Sequence, residues 1–395
     1  MITVGVVARE INIGALVRVR SHRFQWKAIA AAIVSIILWW AVLSTSGIVS
    51  FIPMFLLGLM YAHCVELQHQ CLHHTAYRST RWNRFVGVLL GLPTLVSFSD
   101  YQCSHMKHHR LLGTPEDKEF FNYDYEALTT LRYFIPHLFM FPHHRNVAHS
   151  IFSSIRGRPT RDDCNPKMAG RIRTEYQIMA VMLLAMVGIT IGFQTLIFVK
   201  LWLIPLLIAI PTHALIELPE HFGCQEKTPD VLKNTRTISA GKVAVWFTNG
   251  NNYHVEHHWL PSVPNDRFPD LHQSLSTEIE YLERSYWSFF RKFFKHLLGS
   301  GTRITWATEP ERQEVLMTQA IEINKVIDQV FDIDQERCIR CASCSSIAPT
   351  VFYVGDSLAT ILRQPLDSVE LDQCEAALAN CPTSAITVST NSSLT

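Results

Sequence analysis

Residues 28–65 read AIAAAIVSIILWWAVLSTSGIVSFIPMFLLGLMYAHCV, a stretch without aspartate, glutamate, lysine or arginine. A helix that crosses a bilayer needs roughly 20 apolar residues, so this stretch predicts two spans with a turn near Gly47 and Pro53. Residues 176–216 contain one charged side chain, Lys200, and predict two further spans near 176–196 and 199–217. The shorter segment 85–99 predicts a re-entrant or interfacial helix. The chain is therefore predicted to be mainly α, with a helical membrane domain of four spans.

Ten of the nineteen histidines lie in short clusters beside these apolar stretches. The clusters are HQCLHH at 69–74, HMKHH at 105–109, the histidine of ELPEHFG at 217–223, and HVEHH at 254–258. Imidazole is a ligand that suits iron, zinc and copper. The repeated H-x-x-H-H spacing next to membrane-length segments predicts a metal centre at a bilayer surface.

Two other metal sites fit these clusters poorly. A haem held by two histidines needs single residues on facing helices, and a hydrolytic zinc site uses three protein ligands, which leaves most of these histidines without a role. His143, His144 and His149 lie in a poorly patterned region, so no metal role is predicted for them. His213 lies within the fourth span, where a polar side chain is costly unless it has a function.

The charges of the chain nearly cancel, because its formal net charge is +1. This balance gives no reason to expect an acidic partner such as nucleic acid. Basic residues precede the first span and follow the second, whereas the turn near Gly47 contains none. Because basic loops stay on the cytoplasmic side of a membrane, the histidine clusters and both chain ends are predicted at the cytoplasmic face of the inner membrane.

The cysteines fall into two sets. Cys338, Cys341 and Cys344 follow a C-x-x-C-x-x-C pattern, and Cys381 precedes a proline 37 residues further on. This arrangement is typical of a ferredoxin with one [4Fe–4S] cluster, and loss of the iron near Cys341 would leave [3Fe–4S]. Zinc is the competing reading. Within the C-terminal set, Cys374 is predicted to be a buried free thiol. The scattered cysteines of the other set are predicted to be reduced thiols; they are Cys64, Cys71, Cys103, Cys164 and Cys224.

The motifs HQCLHH, HMKHHRLLGTPED, ELPEHFG, NTRTIS and NNYHVEHHWLPSVP resemble the membrane fatty acid desaturase and hydroxylase superfamily over about residues 27–290. Residues 327–390 resemble a single-cluster bacterial ferredoxin. The first resemblance implies a non-haem centre of two iron ions. The implied ligands are His69, His73, His105, His108, His109, His221, His254, His257 and His258, with His74 as an additional candidate. Asp117, Glu217, Glu220 and Glu256 are candidates to orient these imidazoles.

These features predict four segments: an N-terminal cytoplasmic segment at 1–26, a membrane domain with a cytoplasmic histidine-rich cap at 27–297, a linker at 298–326, and a small α+β ferredoxin-like domain at 327–395. Within the membrane domain, the aromatic and basic residues of 284–297 predict a helix that lies in the membrane interface.

The expected function is oxygen-dependent desaturation of a fatty acyl chain, with electrons passing from a ferredoxin reductase through the fused ferredoxin. Hydroxylation or ketolation of an alkyl or isoprenoid lipid is the first alternative, because the histidine motifs do not separate these outcomes. A membrane electron-transfer or metal-binding protein without oxygenase activity is the alternative from another class.

Overall fold

The computed structural model of the protein describes residues 16–17, 21–117, 128, 130–161, 163–299, 306, 329–354, 358–365 and 368–390. Most of the predicted N-terminal segment 1–26 and of the predicted linker 298–326 lies outside the described residues.

The longer helices belong to the first 300 residues. In chain order the helices are α1 (Ser21–Ser44), α2 (Phe51–Leu72), α3 (Thr80–Gly91), α4 (Phe98–Leu111), α5 (Leu131–Leu138), α6 (Phe141–Ile155), α7 (Pro166–Gly192), α8 (Ile204–His221), α9 (Val231–Asn234), α10 (Lys242–Phe247), α11 (His254–Trp259), α12 (Phe268–Leu275), α13 (Tyr286–Leu297), α14 (Ser343–Ile347) and α15 (Ser368–Asn380). The strands are β1 (Thr237–Ile238), β2 (Leu282–Glu283), β3 (Gln329–Ile333), β4 (Phe352–Tyr353), β5 (Thr360–Ile361) and β6 (Ile386–Thr390).

Four helical segments of the described chain are long and apolar enough to cross a bilayer, as the sequence predicted. They are His22–Ser44, Gly47–Leu72, Pro166–Gly192 and Val199–His221. α2 packs against both α1 and α8, whereas α7 packs mainly against α4 and α6. Large apolar side chains of α1 and α7, such as Trp40 and Leu184, point away from the protein. Because such a surface is unfavourable in water, these helices belong in hydrocarbon, and the chain is a membrane protein.

The segment 85–99 is the end of one helix and the start of another. α3 ends at Gly91, the chain turns through a 3₁₀ segment Leu92–Thr94, and α4 begins at Phe98. A Cβ atom at Gly91 would lie 2.0 Å from the Val96 carbonyl oxygen, so only glycine permits this close turn. The single re-entrant helix expected from the sequence is therefore wrong, and the turn instead aims α4, with its HMKHH motif, across the end of α2.

Helix α13 is a packing helix on one side and an exposed helix on the other. Phe289, Phe293 and Leu297 are buried in a cluster with Phe134 and Phe222. On the opposite side, Trp287 is 77% exposed and Phe294 is 41% exposed. The prediction of an interfacial helix therefore fits only the exposed side of α13, because the side chains of the other side are buried in the protein.

The C-terminal unit has the small α+β fold that the sequence predicted. Strands β3 and β6 pair antiparallel, with Ile333 opposite Ile386, and β4 pairs antiparallel with β5. Its apolar core is continuous with that of residues 255–279 in the histidine-rich cap. The Arg110 guanidinium on α4 donates a hydrogen bond to the Val354 carbonyl at 2.8 Å. The unit therefore lies directly against the cap.

The prediction that Cys103 and Cys164 are reduced thiols is wrong, because the structure joins them in a disulfide. Cys103 lies on α4, and Cys164 lies just before α7. Two ion pairs connect α4 to the segment that carries Cys164, Lys107 with Asp163 and Asp100 with Arg161. The remaining predicted thiols, Cys374 included, are free and buried.

The buried side of α13 should contribute strongly to stability. For Phe293→Ala we expect the free energy of unfolding to fall by about 3–5 kcal/mol, because truncation of a buried phenylalanine leaves a cavity. Phe294→Ala, on the exposed side of the same helix, is the matched control and should change the stability little. Thermal denaturation in detergent compares the two variants, and equal losses would contradict the packing described here.

Candidate metal centre

The first histidine group lies where α2, α4 and α11 meet. Imidazole nitrogens of His69, His73, His105 and His257 all lie within 4.8 Å of one another. The Nε2 atom of His105 lies 2.7 Å from that of His69 and 2.9 Å from that of His73. Four ring nitrogens therefore surround one small volume. The distances between them are compatible with coordination of one shared ion.

A second group lies beside the first and adds α8. It contains His108, His221, His254 and His258, whose ring nitrogens again lie within 4.8 Å of one another. The Nε2 atom of His221 lies 3.2 Å from that of His108 and 3.1 Å from that of His254. This group brings together three segments that are distant in sequence.

His109 connects the two groups. Its Nε2 atom lies 3.0 Å from that of His105 and 2.9 Å from that of His257, both in the first group. Its ring also stacks on His258 of the second group, with centroids 4.2 Å apart. All nine histidines suggested by the sequence resemblance therefore lie in one continuous cluster.

Local helix geometry explains how short motifs supply so many convergent nitrogens. His69 lies in the last turn of α2, and His73 follows as the residue that caps this helix. In α4 and again in α11, the H-x-x-H-H spacing places the first and last histidines four residues apart, on one helical face. His221 is the last residue of α8. Helix ends at the bilayer surface thus point their imidazoles into one space.

Burial keeps these imidazoles neutral. It lowers the pKa of His105, His109, His254, His257 and His258 well below the usual range, and the neighbouring imidazoles lower each of these pKa values further. A neutral imidazole offers a lone pair, which is the form that binds a metal. Each of the two four-membered groups contains histidine alone. This donor set fits two transition-metal ions such as iron.

Several side chains hold the ligand candidates through their other nitrogen. Both carboxylate oxygens of Asp117 lie 3.0 Å from His108 Nδ1. The Asn251 amide oxygen lies 3.1 Å from His69 Nδ1, and the Asn234 carbonyl accepts from His221 Nδ1 at 3.0 Å. Such contacts fix the tautomer and the direction of an imidazole. Sequence reasoning named Asp117 but missed the two asparagines, although Asn251 lies in an unusual run of polar residues directly before the last motif.

The other three acidic candidates contact different atoms from those expected. Glu217 contacts His213 Nε2 at 3.1 Å. The Glu220 carboxylate lies 3.3 Å from His254 Nε2, the nitrogen that faces the other imidazoles. Glu256 accepts a 2.5 Å hydrogen bond from the Thr237 hydroxyl and also contacts the ring of His272, which is not a ligand candidate. The orienting role of these three acids therefore stays a prediction.

A buried polar network extends from the cluster into the membrane spans. The Asn251 amide donates to Glu66 at 2.6 Å, and the other oxygen of Glu66 lies 3.0 Å from His213 Nδ1. Since Asn251 also contacts His69, the network links span four to the first histidine group. His213 therefore belongs to the surroundings of the cluster, as its place in an apolar span suggested.

His74 lies outside both histidine groups and does not contact His109. Its backbone is left-handed, with φ of 57°, and its Nε2 atom lies 3.2 Å from the Gln102 amide nitrogen. The turn that ends α2 points His73 into the cluster and His74 away from it. His143, His144 and His149 lie on α6, also outside these groups.

Four cysteines of the C-terminal unit line a second, separate cavity. They are Cys338, Cys341, Cys344 and Cys381. Within the described chain, no three of their sulfurs lie within 4.8 Å of one another. A single zinc ion with bonds of about 2.3 Å would draw its sulfurs to about 3.8 Å. An iron–sulfur cluster holds its thiolates further apart, because each thiolate binds a different iron, so the arrangement favours a cluster over zinc.

Comparisons with protein families agree with this division of the chain. The sequence model of fatty acid desaturases matches residues 46–290. The model described as the 4Fe-4S single cluster domain of ferredoxin I matches residues 333–388.

Individual relatives match portions of the chain of different length. The sphingolipid delta(4)-desaturase of Xenopus tropicalis is 27% identical over 225 residues, which cover 54% of this chain and 62% of the relative. The sphingolipid delta(4)-desaturase/C4-monooxygenase of Rattus norvegicus is 25% identical over 326 residues, covering 76% and 89% respectively. Ferredoxin-1 of Desulfocurvibacter africanus is 30% identical over 56 residues, covering 14% and 86%. The chain thus spans less than two thirds of the first relative's length.

Replacement of one histidine of the cluster tests whether the cluster binds metal. We expect His257→Ala to lower the affinity for iron more than tenfold, because loss of even a residue that only orients a ligand costs about 10–100-fold. The visible absorbance of the iron–sulfur cluster should remain. Iron content by mass spectrometry, after dialysis against a chelator, measures the loss.

His74→Asn is the control, since asparagine tolerates the left-handed backbone at that position. This variant should keep its iron. Unchanged iron in His257→Ala, or equal loss from both variants, would argue against the ligand set.

Proposed function

Because the chain belongs to the fatty acid desaturase family, a family of oxidoreductases, we propose that it desaturates an acyl chain of a membrane lipid with electrons from its own ferredoxin-like unit. The oxidant is molecular oxygen. A separate ferredoxin reductase recharges the iron–sulfur cluster after each electron has passed.

The contact between the two redox sites is the observation that carries this proposal. His73 and His74 from the cap and Cys341 from the C-terminal unit line one small cavity, together with Met106 and Ser343. Helix α14, which begins at Ser343, packs on α4, the helix of the HMKHH motif. Electron transfer falls steeply with the distance between redox groups. A cluster ligand and a candidate iron ligand on the same cavity therefore favour direct transfer within one chain.

The proposed reaction balances with these components. When bound, two non-haem iron ions would supply the reduction of oxygen coupled to the removal of hydrogen from an unactivated C–H bond. Two neighbouring CH₂ groups lose two hydrogens to give a double bond. One O₂, two electrons and two protons are consumed with them, and two water molecules are formed. The one-electron carrier must therefore deliver twice in each cycle.

The residues of the chain have three tasks in this scheme. The nine clustered histidines hold the two non-haem irons. The [4Fe–4S] cluster is bound by Cys338, Cys341, Cys344 and Cys381. Asp117 and Asn251 keep His108 and His69 in the orientation that directs Nε2 to the metal. Burial of the cluster keeps bulk water away from the reacting carbon.

The apolar helices support a lipid substrate and a membrane location. Two of the four spans end in ligand candidates, His69 on α2 and His221 on α8, and both ends lie on the cap side. The turn near Gly47 and the turn at 193–198 contain no charged residue. Because basic loops remain cytoplasmic, we place the cap and the C-terminal unit on the cytoplasmic side of the inner membrane.

Lipid analysis tests the reaction itself. After expression of the full chain in a host that lacks the activity, mass spectrometry of its lipids should show a loss of two mass units from an acyl chain. A gain of sixteen would instead indicate hydroxylation, the second candidate, which the name of the rat relative favours. The His257→Ala variant is the control. If the host that expresses the unchanged chain has the same lipids as the host that expresses this variant, both candidates are overturned.

The electron route has its own test. With a ferredoxin reductase as the only reductant, Cys338→Ser should reduce turnover by at least tenfold, because a cluster ligand is lost. Cys374→Ala, at a buried thiol of the same unit that does not line the cluster cavity, should retain turnover. Equal turnover in Cys338→Ser and the unchanged chain would show that electrons bypass the C-terminal unit.

A further inference from the structure

A large cavity, of about 420 Å³, opens beside the first turns of α1 and next to α10. This volume lies in the range of cavities that bind small molecules, about 300–1,000 Å³. The metal centre does not use it. Its wall carries cations from both helices, namely Arg23, Lys27 and Lys242.

The charges of this cavity do not balance. Asp266 is its one acidic lining residue, and it pairs with Arg23 at 3.0 Å. Within the described chain, no carboxylate lies within 4.0 Å of the Lys27 or Lys242 ammonium, and Asp266 and Glu66 attract Lys27 only from beyond that distance. Lys27 is half-buried, and its ammonium donates to the Asn249 amide oxygen at 2.9 Å. A cation that is partly removed from water is costly without an anion, so the cavity favours an anionic ligand.

The surroundings of the cavity place it at the boundary between water and hydrocarbon. Trp246 lines the cavity, and the Lys27 ammonium lies 5.8 Å from its ring. Next to it on α10, Val243 is 83% exposed. On α1, apolar side chains point outward from Trp26 onward. Tryptophan and lysine at the end of a span are typical of the membrane interface, where the head groups of lipids lie.

A short chain of hydrogen bonds connects this cavity to the metal centre. The Asn249 amide that receives Lys27 donates to Gln70 at 3.0 Å, and Gln70 follows His69 on α2. Asn265, on the opposite wall, donates to Asn251 at 2.9 Å, and Asn251 contacts His69 at 3.1 Å. A ligand in the cavity would therefore be held at a fixed, short distance from the first histidine group.

We propose that this cavity binds the acidic head group, a phosphate or a carboxylate, of the lipid on which the chain acts. The inference rests on the proposed function, because it identifies the bound lipid as the substrate. Lys27 and Lys242 pair with the head group, and Trp246 packs against the adjoining carbons. The fixed distance between head group and metal centre then selects which carbons of the acyl chain can react.

Binding can be measured without metal or turnover, so its result does not depend on the proposed reaction. The full chain in detergent is titrated with dihexanoyl phosphatidylglycerol, with dihexanoyl phosphatidylcholine and with inorganic phosphate, while tryptophan fluorescence is recorded. Trp246→Phe identifies the reporter. The variants are Lys27→Met and Lys242→Gln, and the matched control is Lys233→Gln, a cap lysine that pairs with Asp230 away from the cavity.

We expect phosphatidylglycerol to bind at least tenfold more tightly than phosphatidylcholine, and each cavity variant to weaken it about tenfold. Lys233→Gln should change nothing. In turnover assays the cavity variants should raise KM for the acidic lipid more than they lower kcat. Equal binding of the two lipids, or unchanged binding in both cavity variants, would overturn the proposal. Binding of inorganic phosphate as tight as that of phosphatidylglycerol would also overturn it, because the site would then recognise a free anion and not a lipid.

Discussion

The convergence of neutral imidazoles in a buried space is the constraint on which the rest of the structure depends. Nine rings direct nitrogen atoms at one another across distances of about 3 Å, with no carboxylate in either four-membered group. Lone pairs that face one another out of water are unfavourable unless a cation lies between them. A bound metal would therefore favour the meeting of the ends of α2, α4, α8 and α11 at this point, and metal binding would support folding of the cap.

In the proposed function, the C-terminal unit is an electron donor that stays close to this centre. Because donor and acceptor would belong to one chain, the effective concentration of the donor would be about millimolar, and no free ferredoxin would have to be captured. The structure adds a defined contact to this general advantage, since Cys341 lies on the same cavity as His73 and His74. His74, which resembled a ligand from its position in HQCLHH, instead lies between the histidine cluster and the cysteine-lined unit.

The sequence predicted best those features that depend on local pattern. Span length follows from the bilayer thickness, and the spacing of His105 and His109 follows from the helical turn, so both could be read directly. The errors concern contacts between distant segments. The disulfide joins Cys103 and Cys164 across a sequence separation of 61, and the burial of Phe293 depends on Phe134 and Phe222, which no periodicity reveals.

By itself, the sequence determined the four spans, the two cofactor-binding motifs and the order in which they occur. Side-chain chemistry and helical spacing carry that information, because each motif is complete within a few residues. Only the tertiary structure decided which nitrogen meets which neighbour. It directs His73 into the cluster and His74 out of it, gives Asn251 and Asn234 their supporting contacts, and assigns Glu256 to His272. Those choices depend on where separate helices end in space, and packing of the whole chain sets that.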